Sequence, residues 1–187
     1  MFLVIYFLIL PFIIYADGVC TSNPDIPPDL FTSVPWMKDA VGTVMFFFGY
    51  SYSLSYEVGR FRWKAKPENK GRLHTIGLAR FCIHPNYFGD LFTYSGWGLV
   101  AGTTCALSGP VYMVWSFVVL VNPNSDAYLA DRYAQEFPDY ARRTATLIPG
   151  LKGYYVNQLL AWICFFVGGW MGNRCTAEHC DNWPTGF

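Results

Sequence analysis

The sequence predicts an all-α fold, a polytopic membrane helix bundle with about five membrane segments. Three observations support this prediction. Apolar residues make up 53% of the chain and charged residues only 14%, whereas globular domains usually carry about a quarter charged residues. The apolar residues fall in blocks that polar loops separate, and the basic residues concentrate in two of those loops. The formal net charge is zero, which argues against a nucleic-acid partner.

Five apolar blocks give the predicted membrane segments, at 2–16, 40–58, 90–107, 111–121 and 154–171. We interpret the first block as a short N-terminal anchor helix. The stretch after it is rich in proline and polar residues, as loops are. The chain is therefore treated as one membrane domain, 1–187, with an anchor at 1–16, an outer loop at 17–39, a core at 40–151, and an extra helix with an outer tail at 152–187.

The fourth block, 111–121, is short for a membrane helix. Eleven helical residues rise about 17 Å, whereas a hydrocarbon core is about 30 Å thick. We expect the sequence "VNPNSD" that follows to interrupt the helix. Polar backbone at that depth needs protein or water around it. We therefore predict a helical hairpin around "SGP" at 108–110, next to a hollow that opens to one side of the membrane.

The basic residues predict which loops share a side of the membrane. Of thirteen Lys and Arg residues, seven lie between Arg60 and Arg80 and four between Arg132 and Lys152. Basic loops favour the cytoplasmic or matrix face. The opposite face carries Cys20, Cys175 and Cys180 in this topology, as an oxidising compartment allows. The prediction is an integral membrane protein with its N-terminus inside and its C-terminus outside.

A cluster of hydrogen-bonding side chains lies in the stretch "CIHPNYFGDLF", residues 82–92, at the mouth of the third segment. The candidates for a binding site are His84, Asn86, Tyr87 and Asp90. Simpler roles are also open. His84 can be an interfacial histidine with satisfied hydrogen bonds, Asn86 a helix cap, and Asp90 a charge favoured by the helix dipole.

The two basic loops predict a cationic cup at the inner face. Arg142 and Arg143, the first basic loop and the short fourth helix would together surround the hollow, and such a cup suits a phosphorylated or carboxylated cofactor. The alternative is that the charges only hold the loops on the inner side. Glu57, three residues before Arg60, is expected to pair with that arginine.

Two longer stretches carry a family resemblance. "KPENKGRLHTIGLARFCIHPNYFGDLFTYSGWGL", then Gly109-Pro110, then "RYAQEFPDYARRTATLIPGL" resemble the C-terminal half of the steroid 5-alpha-reductase-like membrane proteins. That superfamily includes sterol reductases and isoprenylcysteine carboxyl methyltransferases. The resemblance covers about half the chain, from Arg60 to Leu151. It implies a helical membrane fold with a reductase-like core that holds NADPH, as in the reductases, or S-adenosylmethionine, as in the methyltransferases.

The resemblance also implies a cofactor site made from two motifs. The His-Pro-Asn-Tyr motif would line and support the cofactor, and the Tyr-x-Arg-Arg motif would close over it. The implied cofactor-binding residues are His84, Asn86, Tyr87, Asp90, Tyr140, Arg142 and Arg143. No catalytic residue is assigned, although the tyrosines of the second segment are candidates for polarising a substrate; they are Tyr50, Tyr52 and Tyr56.

The sequence departs from the family pattern in several places. Ile83 stands where family members commonly have arginine, and Asp90 where they commonly have glutamate. Losing a guanidinium removes a bidentate partner for phosphate or carboxylate. Fewer helices precede the core than in the reductases, and the fifth segment lies beyond the resemblance. As an alternative to a bound cofactor, we therefore predict that the site holds a phospholipid or is empty.

These departures predict a shortened, non-catalytic accessory subunit of a larger membrane complex, with lipids and other membrane subunits as partners. As the location we favour the mitochondrial inner membrane, where the complex would be a respiratory one, over the endoplasmic reticulum. The alternative function is an NADPH-dependent reductase of a lipid or sterol-like substrate, and after it an S-adenosylmethionine-dependent methyltransferase.

The C-terminal tail predicts no metal site. Its candidate ligands are Cys175, His179, Cys180 and Asp181, and their spacing is not a usual zinc pattern. A disulfide is expected instead, either between Cys175 and Cys180 or from one of them to Cys20.

Overall fold

The computed structural model of the chain describes residues 35–101 and 104–180, and the surroundings of side chains in 36–101 and 106–171. These residues form helices and turns without a β-strand. The helices, numbered here in chain order, are α1 (Pro35–Lys64), α2 (Pro85–Ala101), α3 (Thr104–Trp115), a π-helical segment (Ser116–Val121), α4 (Asn122–Arg132), α5 (Phe137–Arg143) and α6 (Tyr154–Cys180). Two short 3₁₀ turns, Pro67–Asn69 and Gly77–Arg80, join α1 to α2. The all-α prediction is confirmed for this part of the chain.

Helices α1 and α2 pack along their lengths through glycines. An added Cβ on Gly42 would lie 2.7 Å from the carbonyl oxygen of Gly96, and one on Gly96 would lie 2.6 Å from the backbone nitrogen of Phe46. Gly49 and Gly89 face each other in the same way, each against the other's carbonyl oxygen. Glycine at such crossings lets two backbones approach closely, as in membrane helix pairs.

The chain from Thr104 to Arg132 is helical throughout, so two local predictions are wrong. "VNPNSD" does not interrupt the fourth segment, because α4 continues from the π-helical segment and begins with Asn122 and Pro123. The backbone N–H of Asn122 donates to Phe117 O, five residues back. Pro123 therefore falls in the first turn of α4, where a helix tolerates a residue without an N–H.

The predicted hairpin around 108–110 is also wrong. Ser108, Gly109 and Pro110 lie inside α3, which begins at Thr104, whereas α2 ends at Ala101. Gly98 on α2 lies against α3 at this end, where an added Cβ would sit 2.9 Å from Ala106 O. The third segment also begins earlier than predicted. Helix α2 begins at Pro85, five residues before the predicted start at 90. Most of the His-Pro-Asn-Tyr motif therefore forms the first turn of this helix.

Helix α6 packs antiparallel to α3 through aromatic residues. The ring of Trp115 lies 4.9 Å from Phe165 and 6.1 Å from Trp162, measured between centroids. Further along, Gly168 lies against the backbone of Tyr112, where an added Cβ would be 3.3 Å from Tyr112 N. Helix α6 runs to Cys180, nine residues past the predicted end at 171, so this part of the predicted tail is helical.

The two basic segments contact each other. Cys82 and Ala145 form an isolated parallel bridge, in which Ile83 N donates to Ala145 O at 2.8 Å and His84 N to Thr146 O at 3.2 Å. Cys82 is fully buried. This contact joins the chain before α2 to the chain after α5, and two apolar clusters flank it. One cluster contains Tyr87, Leu91, Phe117, Val118, Leu147 and Ala161; the other contains Leu73, Ile83, Tyr133, Phe137 and Tyr140.

Within the described ranges, the helical stretch Ala106–Arg132 is long and apolar enough to cross a membrane. Helices α1 and α6, at 30 and 27 residues, have the length but a lower hydropathy. Several predicted elements lie outside the described residues. They are the anchor helix at 1–16, most of the outer loop at 17–39, and the tail after Cys180. The side chains of Cys20, Cys175 and Cys180 also lie outside them. The loop's last residues, 35–39, belong to α1.

The α1–α2 contact predicts a difference between two glycine substitutions on one helix. Gly49→Ala would drive a methyl group into the backbone of Gly89 and Thr93, and we expect a loss of about 1–3 kcal/mol in the free energy of unfolding. Gly59→Ala is the matched control, because an added Cβ there meets no described atom within 4 Å. Alanine favours a helix over glycine, so this control should be neutral or stabilising by up to about 1 kcal/mol.

Denaturation of the purified protein in detergent, followed by circular dichroism, measures both variants. Equal effects of the two substitutions would contradict the close approach of α1 and α2.

Candidate functional site

A cavity of about 380 Å³ lies where the two basic segments meet the helix ends. Its walls come from the end of α1, the chain before α2, the first turn of α2, and α4 and α5. The volume falls in the range of small-molecule sites, about 300–1,000 Å³. The lining residues are Tyr56, Glu57, Arg60, Lys64, Leu73, His74, Ile83, His84, Asn86, Tyr87, Asn124, Ser125, Tyr128, Leu129, Tyr133 and Tyr140. We call this the first cavity.

His84 is buried and held from several sides. Its Nε2 lies 2.9 Å from Asp126 Oδ1, and its ring stacks on Tyr87 with centroids 5.1 Å apart. Tyr87 stacks in turn on Phe117, at 4.9 Å, and its hydroxyl lies 3.5 Å from Ser125 Oγ. The start of α2 at Pro85 places His84 and Tyr87 together, because proline suits the first position of a helix. The His-Pro-Asn-Tyr motif therefore forms one wall of the first cavity.

Tyr140 closes the far side of the first cavity. Its hydroxyl donates to Ala79 O at 2.7 Å, and Cys82 O lies 3.4 Å away. Only 3% of Tyr140 is exposed, and this burial raises the pKa of the phenol far above its usual range. The hydroxyl thus stays protonated and donates, so Tyr140 fixes the chain between Ala79 and Cys82.

The structure brings four of the seven predicted site residues to the first cavity, namely His84, Asn86, Tyr87 and Tyr140. The other three lie elsewhere. The Asp90 carboxylate accepts a hydrogen bond from Ser53 Oγ on α1, at 3.2 Å. Arg142 is exposed and pairs with Asp139 on its own helix. Arg143 lines a second cavity, of about 310 Å³, on the other side of Tyr140.

Charged groups of both signs lie on the α1 side of the first cavity. Arg60 pairs with Glu57, with Nη1 and Oε2 3.4 Å apart, which confirms the predicted ion pair. Lys64 lies one turn further along the same helix and also lines the cavity. A ligand that carries both a cationic and an anionic group would therefore find partners on one helix.

His74 is a residue of the first cavity that has an unused hydrogen-bonding atom. It is 8% exposed and lines the first cavity, and its Nδ1 has no hydrogen-bond partner among the described residues. Its ring contacts Tyr56 and Trp63, with centroids 5.8 and 5.2 Å away. Burial lowers the pKa of His74, and the nearby Arg60 and Lys64 lower it further. The imidazole is thus neutral at neutral pH, with Nδ1 buried and unpaired beside the cavity.

Tyrosine rings make up much of the remaining wall. The first cavity is lined by Tyr56, Tyr87, Tyr128, Tyr133 and Tyr140. Arg132 lies outside against two of them, with its guanidinium carbon 6.0 Å from the ring centroid of Tyr128 and 5.9 Å from that of Tyr133. Aromatic faces attract cations that have few hydrogen-bond donors, such as quaternary ammonium groups. The wall therefore suits an organic cation.

Sequence reasoning missed His74, Asp126 and Tyr128 of α4. The rarity of histidine was the available signal for His74, because the chain has three in all. Asp126 lies in "VNPNSD", which we interpreted as a helix interruption, and its contact with His84 spans 42 residues. Within the part of the chain that the structure describes, no group of three potential ligands could hold a metal ion.

Comparison with known proteins gives one named relative. The Probable O-methyltransferase ustE of Ustilaginoidea virens is 31% identical over 94 residues, which are 50% of this chain and 33% of that protein. The match thus covers about a third of the relative's length. No solved structure matches the chain.

A family model matches residues 2–144, which is most of the chain and includes the His-Pro-Asn-Tyr motif and the α1–α2 pair. The family includes steroid 5-alpha-reductase-like and methyltransferase-like membrane proteins. The narrower placement in the steroid 5-alpha-reductase superfamily stays a prediction. The chain belongs to the DUF1295 family, a family of proteins of unknown function.

Proposed function

We propose that this protein is a membrane O-methyltransferase that binds S-adenosylmethionine in the first cavity and methylates an oxygen of a lipid-soluble substrate. The observation that carries the proposal is His74, a buried histidine whose Nδ1 lacks a partner, on the wall of a cavity that also offers carboxylate, guanidinium, ammonium and tyrosine groups. The relative named as a probable O-methyltransferase supports the same chemistry.

The lining of the first cavity fits S-adenosylmethionine better than NADPH. S-adenosylmethionine supplies an electrophilic methyl group on a sulfonium cation, and it also carries an ammonium and a carboxylate. Glu57 and the tyrosine rings suit the cationic groups, and Arg60 and Lys64 suit the carboxylate. NADPH is a polyanion with nearly twice as many non-hydrogen atoms. Arg60 and Lys64 could meet its phosphates, but it has no cationic group to pair with Glu57. Ile83 further leaves the site without the arginine common in the family.

His74 is the proposed general base. Nδ1 is buried in the present ring orientation, so the proposal requires the imidazole to turn Nδ1 toward the cavity, where it can accept the proton of a substrate hydroxyl as the oxygen is methylated. The low pKa keeps the imidazole neutral at physiological pH, so the base is ready without prior deprotonation. A substrate carboxylate would need no base, and for such a substrate His74 would only orient the oxygen.

His84 and Asp126 position the wall that faces His74. Their contact at 2.9 Å fixes the imidazole ring, which then stacks on Tyr87. Tyr87 is held on its other face by Phe117. This stack keeps an aromatic face at the start of α2 in one orientation, and a fixed face binds a cation at a lower entropic cost than a mobile one.

The accessory-subunit function is the second candidate, and the apolar surface of the long helices favours it. Trp36, Val44 and Phe47 on α1 are 70%, 68% and 60% exposed, and Tyr155 and Phe166 on α6 are 85% and 68% exposed. Lipid or another subunit must cover such surfaces. The mitochondrial or reticular location, the orientation and the partner subunits stay predictions.

Ligand titration separates these candidates. Isothermal calorimetry on the full chain in detergent should show saturable binding of S-adenosylmethionine and none of NADPH. Glu57→Gln removes a charge from the wall and should weaken the binding by about tenfold or more. Glu68→Gln, an exposed residue of the first 3₁₀ turn, is the matched control and should leave it unchanged.

Tighter binding of NADPH, or equal effects of the two glutamine substitutions, would contradict the proposal. A chain that binds neither ligand and migrates within a large complex in native gels would favour the accessory function.

The titration of His74 gives a second prediction. Carbon-13 NMR of histidine-labelled protein should place the pKa of His74 below about 6.5, the value for a free histidine. Arg60→Gln removes a cation that lowers this pKa, so the pKa should rise. Arg62→Gln, an exposed residue that does not line the cavity, should shift it much less.

In a methyl-transfer assay with a panel of lipid-soluble phenols, the neutral imidazole is the active form. The rate should therefore fall on the acid side of the His74 pKa, and Arg60→Gln should move that fall to higher pH. A His74 pKa above 6.5, or one that Arg60→Gln does not raise, would argue against this base.

A further inference from the structure

The second cavity lies between the two basic segments and is separate from the first. Its volume is about 310 Å³, and its lining residues are Thr75, Arg80, Tyr140, Arg143 and Thr144. Thr75 and Arg80 come from the chain before α2, and the other three come from α5 and the residue after it. Tyr140 also lines the first cavity, so its buried ring is the wall that the two cavities share.

The second cavity has an uncompensated positive charge. Arg80 and Arg143 both line it, and its lining contains no carboxylate. In the described part of the chain, neither arginine has an acidic side chain within 4 Å. Two neighbouring arginines differ in this respect, because Arg142 pairs with Asp139 and Arg60 pairs with Glu57. Guanidinium groups that share a cavity repel each other unless an anion lies between them.

The walls of the second cavity are held in place. The bridge between Cys82 and Ala145 fixes the two segments against each other, and the Tyr140 hydroxyl is tied to Ala79 O at 2.7 Å. Thr144 is 7% exposed, so one hydroxyl-bearing wall is buried beside the exposed arginines. The arginines thus project from a preformed backbone and not from a free loop.

We propose that the second cavity binds a phosphate group, either the headgroup phosphate of an anionic lipid or a free phosphate. Two guanidinium groups and two threonine hydroxyls can donate to all the oxygens of a tetrahedral anion, whereas a planar carboxylate has two oxygens and one arginine suffices for it. The site is distinct from the proposed S-adenosylmethionine site and does not depend on it. An anionic lipid there would anchor both basic segments to one membrane surface.

The test compares two double variants of the full chain. Arg80→Gln with Arg143→Gln removes both charges of the second cavity. Arg72→Gln with Arg142→Gln removes the same charge from the same two basic segments, at exposed residues that line neither cavity. Arg80→Lys with Arg143→Lys keeps the charge and loses the forked donors. The exposure of all four arginines keeps each variant foldable, and circular dichroism checks this.

Two probes distinguish the sources of phosphate. Native mass spectrometry counts the phosphatidylglycerol and phosphatidylcholine molecules that the protein retains from mixed micelles. Phosphorus-31 NMR follows inorganic phosphate in lipid-free detergent, at constant ionic strength. A lipid site predicts a preference for phosphatidylglycerol that falls about tenfold or more in the Arg80/Arg143 glutamine variant, because charge-assisted hydrogen bonds to the phosphate are lost, and that persists in the Arg72/Arg142 variant.

A site for free phosphate predicts line broadening that the Arg80/Arg143 glutamine variant abolishes, with no lipid preference. In both cases the lysine variant should bind with intermediate strength. The proposal is overturned if the two glutamine variants lose binding equally with both probes, because the charge would then act diffusely. It is also overturned if neither variant changes binding.

Discussion

The close approach of α1 and α2 at their glycines is the constraint on which the rest of the structure depends. Gly49 and Gly89 meet backbone to backbone, and Gly42 and Gly96 repeat the contact toward the other end. A helix pair packed this closely has a fixed register, because a shift of either helix would bring a side chain against a backbone. The register places Glu57 and Arg60, about two and three turns past Gly49, on the wall of the first cavity. Both sides of the first cavity are therefore aligned by contacts that lie outside it.

The contact between Cys82 and Ala145 then divides the basic residues into two environments. On one side of Tyr140, Arg60 and Lys64 share the first cavity with Glu57 and tyrosine rings. On the other side, Arg80 and Arg143 share the second cavity with hydroxyl groups alone. The single cationic cup expected from the sequence is thus two cavities of different charge. One lining suits a ligand of mixed charge and the other suits an anion, and this contrast supports assigning them to different ligands.

The sequence predicts the helical class, the contact of the basic segments and the Glu57–Arg60 pair because composition and charge spacing act over long stretches. Prediction from the sequence fails where tertiary packing overrides a local preference. "VNPNSD" contains the residues that usually end helices, yet a π-helical segment shifts Pro123 into a first turn, where proline is tolerated. It fails also for Asp126 and His74, because their roles arise from contacts with residues far away in the chain. The residues of the candidate site that could be located beforehand belong to the two motifs, namely His84, Asn86, Tyr87 and Tyr140.

Ile83 connects the packing of the fold to the identity of its ligand. It is 6% exposed and lies in the apolar cluster with Leu73, Tyr133 and Phe137. An arginine in that place would bury a charge among apolar side chains, at a cost of several kcal/mol unless an anion paired with it. Here the isoleucine completes the cluster, so the first cavity has no need of a phosphate, and this supports a ligand without one. The departure from the family pattern therefore fits a change of ligand as well as it fits a loss of activity.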